Sequence, residues 1–296
     1  MRFPSLLFLI SLVLAVGIFG VVLVPFASAD TLQSADSYAV LAGSTVTNVD
    51  ATIITGDLGV SAGTAVTGFP PGIVNGTIHT GTDAGAVQAK IDLTNAFKSE
   101  AALPATGNVV GGVLTGLNLG PGVYTVGAAT SNLTGTLTLH DGGVGGSIFV
   151  FQMSSTLITS PNAILDVSHL LPTDSLFWVV GSSATLGDNT VFAGNILALT
   201  DITFDPGATD LCGRALARNG QVMFDGQGPT SLIENQVSIK GCTGLLTGSN
   251  GLAGGTTTSG GGGGPSVPEP STLLLLGPGL AGLGIASMRR AQARRA

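Results

Sequence analysis

The chain has 296 residues, of which 46 are glycine, 44% are hydrophobic and only 9% are charged. Soluble domains usually carry about 25% charged residues, so the charged fraction of this protein is unusually small. Its formal net charge is −7. An acidic chain repels phosphate backbones, which argues against nucleic acid as a partner.

Residues 1–29 have the features of an export signal. They begin with Arg2, continue through a long apolar run and end in small residues at 27–29. This order predicts a secretory signal peptide that is cleaved after Ala29. The alternative is an uncleaved transmembrane anchor, because the apolar run is long enough to span a bilayer.

Residues 30–246 form the predicted folded domain, most of which has the pattern of short strands ended by Gly, Asn or Asp. The first part, 44–69, is rich in threonine and contains no lysine or arginine. Pairs such as Thr45 and Thr47 place both side chains on one face of a strand. Stacked pairs would form a rigid grid of methyls and hydroxyls that can hold an ordered water layer. The alternative is that threonine serves here only as a good strand former.

One helix is predicted, at about 83–103. Thr82 or Asp83 is a capping residue before it, and Pro104 ends it. Apolar residues recur at near-helical spacing within it, namely Ala86, Ala89, Leu93, Phe97 and Leu103. This apolar stripe must pack on another part of the fold.

The later part of the domain repeats weakly. Leu186, Phe204 and Phe224 lie 18 and 20 residues apart, and the sequence at 194–198 is similar to that at 213–217. A period of this length, with three short strands per period, is typical of a β-solenoid of triangular section. A β-sandwich, the competing fold, would need Asn-Gly or Asp-Gly hairpin turns, which are mostly missing.

The chain has two cysteines, Cys212 and Cys242. In an exported protein we expect a disulfide between them, and two unpaired thiols are the alternative. It would stabilise the domain by roughly 3–4 kcal/mol on the chain-entropy model.

The C-terminal part contains four features in a fixed order. A Gly/Ser/Thr-rich linker covers 247–266, and Val-Pro-Glu-Pro at 267–270 is followed by an apolar stretch and a cluster of four arginines in the segment 267–296. This order resembles the PEP-CTERM sorting signal of Gram-negative bacteria, which implies processing by an exosortase and a secreted or cell-surface location. The alternative is a plain transmembrane anchor whose arginines stay on the cytoplasmic side.

The folded domain resembles a known family over about residues 36–226. The blocks that carry the resemblance include "YAVLAGSTVTN", "TIITGDLGVSAGTAVTGFPPGIVNGTIH", "LFWVVGSSATLG" and "FAGNILALTDITFDPGATDLCGRALARNGQV". They are similar, in this order, to the DUF3494 ice-binding-like proteins of bacteria, fungi and diatoms. The resemblance implies a mainly β fold, a right-handed discontinuous β-solenoid of triangular section with one long α-helix packed alongside.

The resemblance also implies where ice would bind. Family members that bind ice use one flat solenoid face, and in some of them it carries a Thr-Ala/Gly-X-Thr/Asn motif, which matches 64–67 and 115–118 here. Together with looser matches and the paired threonines, the candidate residues are Thr45, Thr47, Thr64, Thr67, Thr115, Asn118, Thr156, Thr159, Thr185, Asn189, Thr200 and Thr203. Phe204, Met223 and Phe224 lie near them and either belong to the core or interrupt a flat face.

We therefore expect a secreted or surface-displayed antifreeze or ice-recrystallisation-inhibiting protein whose partner is an ice surface or ordered water. The alternative is an adhesin or structural protein of the cell surface or biofilm matrix, with an exopolysaccharide as partner. We expect no enzyme, no catalytic residue, no metal and no cofactor. The three histidines are scattered and lack zinc-site spacing. A calcium-dependent lyase would need a cluster drawn from Asp201, Asp205, Asp210, Arg214 and Arg218, but two of these aspartates flank a Pro-Gly turn.

Overall fold

The computed structural model of the chain describes residues 31–171 and 173–226, and in addition the backbone of 231–232. These described residues contain one α-helix, α1 (Ala84–Ala102), and two short 3-10 segments (Gln33–Ser37 and Val110–Gly112). The strands in chain order are β1 (Tyr38–Ala42), β2 (Thr45–Asn48), β3 (Thr52–Thr55), β4 (Asp57–Val60), β5 (Ala65–Thr67), β6 (Ile73–Asn75), β7 (Ile78–Thr80), β8 (Gly107–Val109), β9 (Asn118–Leu119), β10 (Gly122–Val126), β11 (Thr136–His140), β12 (Ile148–Met153), β13 (Leu157–Ile158), β14 (Ile164–His169), β15 (Ser175–Val180), β16 (Ala184–Leu186), β17 (Val191–Ala198), β18 (Ile202–Phe204), β19 (Thr209–Ala217), β20 (Val222–Phe224) and β21 (Ser231–Leu232).

The strands form three faces, and successive coils of the chain visit these faces in the same order. The first face contains β7-β4-β1-β19-β17-β15-β12-β10-β8, and the second contains β13-β16-β18-β20-β2-β5. The third contains β9, β11, β14 and the first parts of β17 and β19, and the three-stranded sheet β21-β3-β6 takes the same place in its coils. Neighbouring strands of different coils pair in parallel, as a solenoid requires.

The two longest strands turn the corner between the third and first faces. The first part of β17 pairs with β14 and its second part with β15. Gly194, at φ +102°, lies at the bend, and the ladder to β19 shifts register there. Gly213 is opposite it in the next coil, where a Cβ atom would lie 2.0 Å from the Gly194 carbonyl oxygen. Glycine therefore permits both the bend and the close approach of the two coils.

The solenoid is discontinuous, as the resemblance implied. Strand β1 pairs with β4 on one side and with β19 on the other, so the N-terminal coils stack on the last coil of the C-terminal part. Between strands β7 and β19 the chain forms helix α1 and the coils that begin at β8.

Helix α1 confirms the predicted helix almost residue for residue. Asp83 is the N-cap and accepts hydrogen bonds from the amides of Gly85 (2.9 Å) and Ala86 (3.1 Å), which a helix N-terminus leaves without partners. Its small and apolar side chains, including Ala89 and Leu93, are buried against the first face. The helix covers this face, so its strands are apolar on both sides.

The interior contains stacked columns of side chains. Leu186, Phe204 and Phe224 lie opposite one another on β16, β18 and β20 and are fully buried. The 18–20-residue period therefore corresponds to one coil. A second column of four aromatic rings runs from Tyr124 through Phe151 and Trp178 to Phe192, with ring centroids 5.4, 4.2 and 4.9 Å apart.

Several predictions concern residues that the structure does not describe. The signal peptide at 1–29, the linker at 247–266 and the sorting segment at 267–296 lie outside the described residues. Cys212 is disulfide-bonded, whereas its predicted partner Cys242 lies outside them. Among the described residues, no helix is both long and apolar enough to cross a membrane.

Candidate functional site

The second face of the solenoid, β13-β16-β18-β20-β2-β5, carries most of the candidate threonines, and we call it the threonine face. Strands β2, β16, β18 and β20 alternate between buried and more exposed residues. Val46, Ile202 and Val222 point inward and are fully buried. The side chains between them therefore point outward.

The outward side chains at the middle of these strands form one row, which we call the central row. The ladder registers place its six residues opposite one another in successive strands. With strands about 4.8 Å apart, the row is about 24 Å long. Its members are Ile158, Thr185, Thr203, Met223, Thr47 and Thr67, four of them threonine and none charged.

A second outward row lies one pleat earlier, about 6.6 Å from the central row. Thr45 and Ala65 belong to it and are paired in the ladder. Main-chain hydrogen bonds from Leu157 to Ser183, from Ala184 to Asp201 and from Ile202 to Gln221 place the other members. The row is Thr156, Ser183, Asp201, Gln221, Thr45 and Ala65.

The second row is more polar and more internally bonded than the central row. The Thr45 hydroxyl donates to Gln221 Oε1 at 3.4 Å, and Asp201 Oδ1 accepts from the Gln221 amide at 2.8 Å. Ser183 Oγ and Thr200 Oγ1 lie 2.7 Å apart. These contacts hold the side chains of Thr45, Asp201 and Ser183 in place beside the central row.

The structure brings six of the twelve candidate residues together in these two rows: Thr45, Thr47, Thr67, Thr156, Thr185 and Thr203. Thr200 borders them through its bond to Ser183, and Thr64 is exposed immediately before β5. Asn189 lies in the turn after β16 and has a left-handed backbone with φ +54°.

Three candidates lie elsewhere. Thr159 is in the interior, only 3% exposed, where its hydroxyl is 2.8 Å from that of Thr190. Asn118 is on the third face, opposite Thr138. Thr115 lies before the turn to that face, and its hydroxyl is 3.0 Å from that of Thr134.

The large apolar residues near the candidates divide into two groups. Phe204 and Phe224 are fully buried, with ring centroids 5.0 Å apart, and form the floor beneath the face. Met223 instead stands in the central row between Thr203 and Thr47. Ile158 ends the same row, and neither its place nor that of Gln221 was expected from the sequence.

A row of carboxylates borders the threonine face on the other side. Asp205 and Asp225 follow β18 and β20 in register, and Asp188 lies close by. Burial and the charges of Asp188 and Asp225 raise the pKa of Asp205 above its usual value. The face is therefore uncharged along its central row, with Asp201 in the second row on one side and these carboxylates along the border on the other, which the sequence interpretation did not anticipate.

The residues that a calcium-dependent lyase site would need do not lie together in the structure. Asp201 lies in the second row and Asp205 on the opposite border of the threonine face, whereas Arg214 is only 1% exposed and is bound to Asp36 and Asn195. Asp210 is buried beside Arg214, and burial raises its pKa well above the usual value although the guanidinium opposes the rise. In the described part of the chain, no group of three His, Cys, Asp or Glu side chains is arranged to hold a metal ion.

Comparison with known proteins assigns this fold to a family. The ice-binding-like family model matches residues 40–229, well over half of the chain. The chain belongs to the ice-binding-like family. A PEP-CTERM protein-sorting motif also matches, at residues 266–290.

Members of the ice-binding-like family are similar to the chain in both sequence and structure. An ice-binding protein of Nostoc sp. (strain HG1) is 42% identical over 265 residues, which cover 89% of this chain and 88% of the relative. A crystal structure of an ice-binding protein from the Antarctic ascomycete Antarctomyces psychrotrophicus has a TM-score of 0.63 and 37% identity, covering 69% of this chain and 98% of that one. A second, from an Antarctic biological consortium, has a TM-score of 0.60 and 45% identity and covers 68% and 90%.

Proposed function

We propose that the domain binds ice through the threonine face and that it acts as an antifreeze or ice-recrystallisation-inhibiting protein. The observation that carries the proposal is the central row, in which four threonines occupy register-matched positions and no residue is charged. The similar proteins described above are ice-binding proteins, which supports the same function for this chain.

Binding to ice depends on how the threonine face orders water. The side chains of Thr47, Thr67, Thr185 and Thr203 repeat at the strand spacing, and each presents one methyl and one hydroxyl. Because χ1 of threonine is stiff and the strands are held by ladders in two directions, the grid is rigid before ice arrives. Water beside it can be ordered by hydroxyls while the methyls occupy the gaps, so little conformational entropy is lost on binding.

The other two faces are less suitable. Helix α1 covers the first face. The third face includes charged or ionisable side chains in its exposed part, among them Asp166 and His140, which hold their own hydration shells. The central row of the threonine face has no charged residue, and this contrast favours that face.

We propose that the domain acts outside the cytoplasm. The supporting features are the signal peptide predicted at 1–29 and the sorting motif matched at 266–290. In this organisation 30–246 is the ice-binding-like domain, 247–266 is a linker, and 267–296 directs the chain to the sorting machinery of a Gram-negative cell surface. A displayed ice binder could hold a cell at an ice surface. Attachment to an exopolysaccharide matrix is the second candidate, favoured only by the sorting motif.

The test is a measurement on purified 30–246 in a nanolitre osmometer. The domain can be tested alone because the solved ascomycete relative is covered to 98% by the corresponding part of this chain. We expect a gap between melting and freezing temperatures and faceted ice crystals. Round crystals without a gap, from protein with a cooperative thermal unfolding transition, would contradict ice binding, and retention on exopolysaccharide would then support the matrix role.

A further inference from the structure

A third outward row borders the threonine face, and we call it the border row. Main-chain hydrogen bonds continue the ladders past the ends of β18, β20 and β2, with N–O distances of 2.9, 2.8 and 3.1 Å. They bring Asp205, Asp225 and Val49 opposite one another. The residues at 204, 224 and 48 are buried, so these three side chains point outward. The border row therefore lies about 6.6 Å from the central row.

The border row carries two neighbouring negative charges. Asp205 and Asp225 follow adjacent strands, about 4.8 Å apart at the backbone. Asp188, in the turn after β16, and Asp50, directly after Val49, add further carboxylates to this border. The outward rows contain no Lys, Arg or His, and none of the ion pairs among the described residues includes Asp205 or Asp225. Burial raises the pKa of Asp205, and the charges of Asp188 and Asp225 raise it further.

Water must solvate these two carboxylates. Asp201, the charged residue of the second row, differs because its Oδ1 atom accepts a hydrogen bond from the Gln221 amide at 2.8 Å. Asp205 and Asp225 have no such partner among the described residues, and Asp225 is exposed. An ionised carboxylate binds water through short, charge-assisted hydrogen bonds. These hydration shells impose their own water positions beside the central row, and they oppose the growth of an ice-like layer over the border row.

We propose that Asp205 and Asp225 set the edge of the ice-contact surface. While both are ionised, ice contacts the second and central rows and stops at the border row. Without their charge, contact extends to the border row, where Val49 already presents an apolar side chain that is 47% exposed. The width between the outermost contacted rows then doubles, from about 6.6 Å to about 13 Å. This inference rests on the proposed function, because it assigns the boundary of the same face.

Replacement of both carboxylates by amides tests the proposal. Asp205→Asn combined with Asp225→Asn keeps the size of both side chains and removes only their charge. We expect thermal hysteresis of purified 30–246 at pH 7 to rise about 1.5-fold at equal concentration, since a third row joins two. Asp166→Asn is the control, because it removes a carboxylate from the third face and should leave the hysteresis unchanged. Circular dichroism at the assay temperature shows whether each protein is folded.

Protonation provides the same test on the unaltered protein. From pH 7 to about pH 3.5, below the usual Asp pKa of about 3.9, wild-type hysteresis should rise toward that of the double variant. The double variant should change less, because it lacks the two carboxylates whose protonation matters. Measurable but equal hysteresis in both proteins at pH 7 would overturn the inference and leave ice binding in place. No hysteresis in either protein at any pH would overturn the proposed function and the inference with it.

Discussion

Met223 provides a sensitive test of the reasoning about the central row. It separates Thr185 and Thr203 on one side from Thr47 and Thr67 on the other. Met223→Thr would therefore convert two runs of two threonines into one run of five. With a step of about 4.8 Å per strand, the uninterrupted run grows from about 5 Å to about 19 Å.

The substitution should be structurally mild. Met223 is partly exposed and its neighbours Val222 and Phe224 form the floor, so the loss of apolar contact is about 1 kcal/mol. The unfolding temperature should then fall by about 2–4 °C, which leaves the protein folded near 0 °C.

Thermal hysteresis measured over a range of protein concentrations is the appropriate assay. We expect Met223→Thr to exceed the wild type at every concentration, because a longer matched row orders more contiguous water. Ile164→Thr is the matched control, an exposed apolar residue in a row of the third face opposite Val191, and it should leave the hysteresis unchanged. If folded Met223→Thr is no more active than the wild type, continuity of the central row is not what determines binding.

Three other substitutions test the remaining assignments. Thr159→Val should cost about 1–3 kcal/mol because it removes the acceptor of the Gly187 amide and the hydroxyl contact with Thr190, and urea unfolding should show this loss while hysteresis of the folded protein is unchanged. Arg214→Met should lower stability by about 3–5 kcal/mol, since it breaks the ion pair of the buried guanidinium with Asp36 and its hydrogen bond to Asn195; thermal unfolding with no shift would contradict the assigned role. Asp205→Asn should raise the unfolding temperature by about 1–3 °C at pH 7. The folded-state pKa of Asp205 is raised, so its charged form destabilises the fold, and a melting series should show this gain disappearing as the pH falls through that pKa.

Most of the fold could be predicted because its signals are local or periodic. Asp83, the apolar stripe and Pro104 predict the two ends of helix α1 to within one helical turn. The helix observed is Ala84–Ala102. The spacing of Leu186, Phe204 and Phe224 gave the coil length, since identical positions in successive coils stack directly. The helix is indicated by neighbouring residues, and the coil length is indicated by a fixed period in the sequence.

The composition of the site could be predicted only in part, because the strands are two to four residues long on this face. In so short a strand a shift of one residue exchanges inside and outside. Thr156 and Thr159 are three apart, so they cannot both face outward from one strand, and Thr159 is the one that is buried. Met223 lies in the central row because it is in register with Thr203 of the neighbouring strand. No local motif indicates this register.

Thr115 and Asn118 illustrate a different limit. Gly116 between them has φ +77° and turns the chain, so the two ends of an apparent motif lie on different faces. A motif of four residues is meaningful here only when its backbone stays extended.

The central claim, that the threonine face binds ice, is tested most directly by one bulky substitution placed on two faces. Thr185→Tyr puts a ring in the central row, between Ile158 and Thr203, and Thr136→Tyr puts the same ring at an exposed position of β11 on the third face. Thermal hysteresis and crystal shape should be measured at equal concentration on both proteins and on the wild type. The account predicts that Thr185→Tyr loses most of the hysteresis while Thr136→Tyr retains it. Equal activity of the two variants, or selective loss in Thr136→Tyr, would contradict it.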